Sequence, residues 1–208
     1  MRATAKPLAP APLSTASASA GDLDRRIGAR IHALRADRAL SLEGLAAAAG
    51  VSRAMLSRVE RGESSPTAQL LNRIAAGLGI GLSALLAEPP AATDPLCRRE
   101  EQPVWQDPAS LYRRRAVSPA GTASALEIVE VEFPPGGRVG FDNRGLAGRD
   151  QMLWLLDGRL RISLGEAVFD LAPGDCLHTG LDRPIVFHNP GPLPARYVVM
   201  IGPLERDP

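Results

Sequence analysis

Between Ser41 and Gly79 the chain reads SLEGLAAAAGVSRAMLSRVERGESSPTAQLLNRIAAGLG. Ser41 stands where a helix needs an N-cap, and the helix it opens runs out at Gly50. Ser52 caps a second helix, which ends at Gly62. Gly50 suits a turn that requires positive φ. A turn this short forces the two helices to cross steeply, so the segment demands a small bundle around it. The second helix carries Arg53, Ala54, Ser57 and Arg58 on its outward side. That is how a helix-turn-helix offers side chains to a DNA major groove.

The flanking sequence completes a five-helix bundle over residues 22–87. Asp22 or Asp24 caps a first helix with Ile27, Ile31 and Leu34 on one face. Pro66 is expected to open a fourth helix, and a short fifth lies around Leu82–Leu86. Residues 1–21 are rich in Ala, Ser, Thr and Pro and read as a disordered tail. Residues 88–109 hold five prolines and the charged run Arg98–Glu101, the composition of a linker. Its Trp105 is expected to dock on a neighbouring domain. From residue 110 to 204 the pattern changes to short strands with period two. Seven are expected: Leu126–Phe133, Met152–Leu156, Leu160–Leu164, Ala167–Leu171, Asp175–Thr179, Ile185–Asn189 and Ala195–Ile201. Turn signals such as Asp157-Gly158 and Pro173-Gly174-Asp175 separate them. The fold class is therefore multidomain, an α bundle followed by an all-β sandwich or jelly-roll barrel.

Composition narrows the function classes. With 208 residues and net charge +1, the chain as a whole is not basic. Ser52–Gly62, however, sets Arg53, Arg58 and Arg61 against Glu60 alone. A local surplus of this kind serves DNA even in a near-neutral protein. No run of about 18 apolar residues predicts a membrane span. Cys97 and Cys176 lie far apart without metal-ligand spacing and read as reduced thiols of a cytoplasmic protein.

Leu45-Ala46, Gly50-Val51-Ser52, Leu56-Ser57, Val59-Glu60-Arg61-Gly62 and Pro66-Thr67 together resemble the Cro/C1-type helix-turn-helix of the XRE family of bacterial regulators. The resemblance implies that Ser52–Arg61 is the recognition helix. Arg53 and Arg58 then fork onto guanine edges and Ala54 meets a thymine methyl. Ser41, Ser52, Ser57, Arg61 and Thr67 complete the expected DNA-binding set, Ser41, Arg61 and Thr67 as phosphate contacts. Glu60 faces away from phosphate and is expected to pair with an arginine such as Arg35.

Pro134-Pro135-Gly136-Gly137, Leu155–Leu160, Leu171–Asp175 and Phe187–Gly191 resemble the turn framework of a cupin. A metal-binding cupin supplies histidines and a glutamate. Here the glutamate position is Gln151, the closing histidine position is Ile185, and residues 141–147 contain no histidine. No metal and no other cofactor is therefore expected. By alternation, Ile185 and Phe187 point inward, while His178, His188, Met152 and Trp154 point outward. Asp142, Arg144, Gln151, Leu153, Leu155, Ile185, Phe187 and Met200 are the expected lining of a small-molecule site. The combined expectation is a homodimeric, cytoplasmic transcriptional regulator that binds a palindromic double-stranded operator and senses an effector in its cupin barrel. A cupin-type metal-dependent oxygenase or epoxidase carrying a helix-turn-helix is the enzymatic alternative. A dimerising adaptor or antitoxin-like DNA-binding protein is the other.

Overall fold

The computed structural model describes residues 20–86, 94–122, 124–143 and 148–203. Residues 1–19 of the expected tail and Arg144 of the expected lining lie outside them. Five helices come first: α1 (Ala20–Asp37), α2 (Leu42–Ala49), α3 (Arg53–Glu60), α4 (Ala68–Gly77) and α5 (Leu82–Leu86). Their caps follow from sequence. The Ser41 hydroxyl accepts from the Gly44 amide at 2.9 Å, and the Ser52 hydroxyl accepts from the Met55 amide at 3.1 Å. Gly50 ends α2 at φ 63°, a left-handed conformation that glycine adopts without strain. The fourth helix is capped by Thr67 rather than opened by Pro66. The Thr67 hydroxyl accepts from the Leu70 amide at 3.3 Å, and Pro66 has no side-chain acceptor to offer, so the cap falls on Thr67.

Ile31, Leu45, Leu56, Leu71 and Ile74 are wholly buried and form the centre of the bundle. The α1–α3 crossing is close because α1 carries Gly28. A Cβ there would stand 2.4 Å from the Val59 carbonyl oxygen.

Ten strands follow: β1 (Val104–Gln106), β2 (Arg113–Ala116), β3 (Glu127–Phe133), β4 (Arg138–Phe141), β5 (Arg149–Asp157), β6 (Leu160–Leu164), β7 (Ala167–Leu171), β8 (Cys176–Gly180), β9 (Ile185–His188) and β10 (Ala195–Pro203). They form two antiparallel sheets, one ordered β1-β2-β3-β10-β5-β8 and the other β4-β9-β6-β7. All seven expected strands are present with small shifts at their ends; β1, β2 and β4 were not expected. The β1 strand lies within residues read from sequence as linker. Trp105, 6% exposed, docks edge-on against Tyr112 at 5.8 Å between ring centroids. Apolar burial therefore draws this segment into the sheet despite its prolines. The aromatic chain continues through Phe133 and Tyr197 to Phe187.

The bundle rests on the β domain through α4 and α5. The buried Asp107 accepts from the Ala68 amide at 2.9 Å, so a β-domain carboxylate joins Thr67 in capping α4. Asn72 Nδ2 donates to the Asp142 carbonyl at 3.1 Å, and Arg114 Nη2 donates to Ser83 Oγ at 2.6 Å.

Candidate nucleic-acid interface and small-molecule cavity

Leu56 and Val59 are buried on the inner side of α3, which turns Arg53, Ala54, Met55 and Arg58 toward solvent. No carboxylate lies within ion-pair distance of Arg53 or Arg58 among the described residues. Their charge is therefore available to a polyanion. Ser57 is half-buried, and its hydroxyl accepts from Arg61. Arg61 also pairs with Glu63 at 2.6 Å. That partner holds the guanidinium pKa above its ordinary value through hydrogen bonding. Ser41, Ser52 and Thr67 use their hydroxyls as helix caps. Arg73 of α4 donates to the Gly50 carbonyl at 3.2 Å and so braces the turn between α2 and α3. Met55, 38% exposed, is an outward residue that the sequence reading did not name.

Glu60 sits behind this face, as its charge requires. Its Oε1 accepts from Arg35 Nε at 2.7 Å and its Oε2 accepts from Arg35 Nη2 at 2.9 Å. His32 Nδ1 lies 3.1 Å from the same Oε2. Burial alone would raise the Glu60 pKa. The hydrogen bonds from Arg35 and His32, with their charges, outweigh it and hold the carboxyl below its usual range.

A second feature lies where the bundle meets the β domain. A cavity of about 90 Å³ is walled by Tyr112, Val129, Val139, Ile185, Phe187, Tyr197 and Val199 of the β domain. Asn72, Gly81, Leu82 and Ser83 of the bundle close it. Its charged and amide groups are Arg114, Glu127, Asn143, Arg149 and Gln151. Arg149 Nη2 donates to Glu127 Oε1 at 2.6 Å. Glu127 Oε2 and Gln151 Nε2 are buried without a hydrogen-bond partner. Both tyrosines are fully desolvated, which pushes their phenol pKa values well above the ordinary one.

Of the expected lining, Gln151, Ile185 and Phe187 face this cavity. Leu153 and Leu155 are wholly buried but do not line it. Met200 is a correction. In β10 the buried, cavity-facing residues are Tyr197 and Val199, so Met200 takes the opposite face and pairs with Met152. Asp142 is also displaced: its carbonyl meets Asn72 and it borders a shallow surface depression beside Gln69 and Arg73. Asn72, Ser83, Arg114, Glu127, Arg149 and Tyr197 were missed. Asn72 and Ser83 lie on another domain, and Arg114 belongs to a strand of three successive arginines with no alternation to expose it.

The cavity residues do not suit a divalent cation. Gln151 and Ile185 offer neither carboxylate nor imidazole, and two guanidiniums line the wall. Among the described residues no group of three His, Cys, Asp or Glu side chains could hold a metal ion. His178 faces outward and bonds Asp150 at 2.9 Å. Among the described residues no helix is long and apolar enough to cross a membrane.

Residues 31–85 match the helix-turn-helix family model HTH_3. Over 81 residues the chain is 41% identical to the HTH-type transcriptional regulator SutR of Escherichia coli. That match covers 39% of this chain and 46% of SutR, so it spans about half the length of the curated relative. The crystal structure of an HTH_3 family transcriptional regulator from Vibrio cholerae superposes with a TM-score of 0.75 at 26% identity, over 90% of this chain and 100% of that one. The cupin domain of an XRE family transcriptional regulator from Enterobacter cloacae shows a slighter likeness. Its TM-score is 0.37 at 16% identity, over 39% of this chain and 84% of that one.

Proposed function

We propose, from the premise that residues 31–85 are an XRE-type helix-turn-helix domain, that the chain is a sequence-specific transcriptional regulator whose β domain senses a small molecule. The observation that carries the DNA half is the solvent face of α3, where Arg53 and Arg58 make no close ion pair with a carboxylate among the described residues. Each is suited to fork onto a guanine O6/N7 edge, with Ala54 beside a thymine methyl. Ser41, Ser52, Ser57, Arg61 and Thr67 flank this face as the positioning contacts; Arg61 exchanges Glu63 for phosphate on binding.

The sensing half rests on the cavity beneath α5, mostly apolar with a few placed polar groups. The absence of a metal-ligand set among its lining residues favours binding over oxygenase or epoxidase chemistry. A single small module binds DNA weakly, so the operator is read by a homodimer on a palindrome. Met152 and Trp154, 47% and 45% exposed on the outer face of β5, supply an apolar surface for the second copy.

Selection of genomic fragments by the purified protein, at fixed near-physiological salt, tests the reading. One palindromic site is expected. Arg58→Ala is expected to lose about 2 kcal/mol, roughly thirtyfold, on that site and far less on random DNA. Equal losses on both sequences would remove Arg58 from base readout, and recovery of no specific fragment would overturn the regulator.

A further inference from the structure

The cavity is not a pocket of the β domain alone. Asn72 of α4 and Gly81, Leu82 and Ser83 at the start of α5 form part of its wall. Two β-domain arginines reach this same turn. Arg114 Nη2 bonds Ser83 Oγ at 2.6 Å, and Arg149 Nη1 lies 3.5 Å from where a Cβ on Gly81 would stand. Any molecule in the cavity therefore touches the DNA-binding bundle directly.

Charge and unmet hydrogen bonds narrow its chemistry. The lining holds two guanidiniums, Arg114 and Arg149, against one carboxylate, Glu127. Arg149 is matched by Glu127, whereas Arg114 has no ion-pair partner among the described residues. One net positive charge is left facing a mostly apolar space, where an anion is worth more than in water. Gln151, 5% exposed, leaves its Nε2 donor unpartnered, and Glu127 leaves Oε2 as an unpartnered acceptor. Glu127 and Gln151 both oppose Ile201 across β10, so they stand in one row of the sheet. Buried groups of this kind are costly unless something satisfies them. The volume of about 90 Å³ is far below that of a drug-sized site.

We propose that the cavity binds a small hydroxycarboxylate and that the bound anion ties the DNA-binding bundle to the β domain. Its carboxylate lies on Arg114, whose five N–H donors exceed those given to Ser83 and Tyr112. Its hydroxyl donates to Glu127 Oε2, and Gln151 Nε2 donates to one of its oxygens. Because the wall belongs to both domains, occupancy favours the docked arrangement over any in which the bundle swings free. This rests on the regulator reading for its biological meaning but not for its binding chemistry.

The probe is lactate on the full chain, with lactamide as its neutral counterpart of equal size. Calorimetry is expected to show lactate binding at least about tenfold tighter than lactamide, and Arg114→Gln is expected to erase that preference. Hydrogen exchange is expected to slow on lactate binding at residues 81–86 as well as at 127–131. Arg114→Gln is expected to keep its thermal unfolding midpoint and its weak binding of lactamide, which separates loss of the anion contact from a folding defect. Equal binding of the two probes, or binding of neither up to about 50 mM, would overturn the anion site. Slowed exchange confined to 127–131 would overturn the link between domains. Fragment selection run in parallel separates the two readings. Specific DNA without a lactate preference removes the site and leaves the regulator; a lactate preference without specific DNA does the reverse.

Discussion

Glu60 shows how one carboxylate can serve a surface proposed to meet a polyanion. It lies in the last turn of α3, yet its side chain is 8% exposed and held by Arg35 from α1. The α3 face thus keeps its positive charge while α1 is fastened to α3 beside the close contact at Gly28. Because the folded carboxyl titrates below its ordinary value of 4.5, its stabilisation is complete above that pH. The contribution disappears as pH falls through the lowered folded value. Glu60→Gln is expected to cost about 2 kcal/mol near neutral pH, measured by urea unfolding. Repeated as pH falls below 4.5, the same comparison should find the gap between the two proteins narrowing. A gap that stays constant with pH would mean that shape, not charge, fastens the helices.

At the scale of elements, α4 is the member shared by both halves of the chain. Its first amide, on the fully buried Ala68, is satisfied by Asp107, a residue just beyond β1. Asp107→Ala is expected to cost about 2 kcal/mol, because it removes a cap and strands a buried N–H. Amide exchange at Ala68 should accelerate well beyond that at Leu82 in α5. This link was not legible in sequence, where Asp107 is one acidic residue in a proline-rich stretch. Strand β2 was hidden for a related reason. Its three successive arginines show no alternation, because each answers a different partner. Arg113 pairs with Glu132, Arg114 meets Ser83, and the buried Arg115 lies beside Glu130. The helices were legible because Ser41, Gly50 and Ser52 act locally. So were β6 and β7, whose turn Leu164-Gly165-Glu166 lies between strands paired end to end. Of the candidate site, Gln151, Ile185 and Phe187 followed from strand alternation and family turns. The half contributed by Asn72 and Ser83 depends on domain packing, which no local pattern encodes.

For the molecule as a whole, the outer face of the larger sheet carries an exposed apolar patch at Met152 and Trp154. Trp154 neighbours Val198 and Cys176, and Met152 neighbours Met200 and His178. If two copies meet there, Trp154→Glu should yield a monomer in sedimentation while thermal unfolding stays close to the parent. Operator affinity should fall in step with the lost dimer. A dimer that survives the substitution would locate the contact elsewhere. The shared cap on α4 bears on engineering as well. Regulators of this build invite the grafting of one reader onto another sensor by cutting between helices and sheet. A graft that ends at residue 86 leaves Asp107 behind, and the transplanted reader arrives with a loosened helix next to its turn. Only a recipient sensor with an acidic side chain at the matching spot would make the hybrid whole.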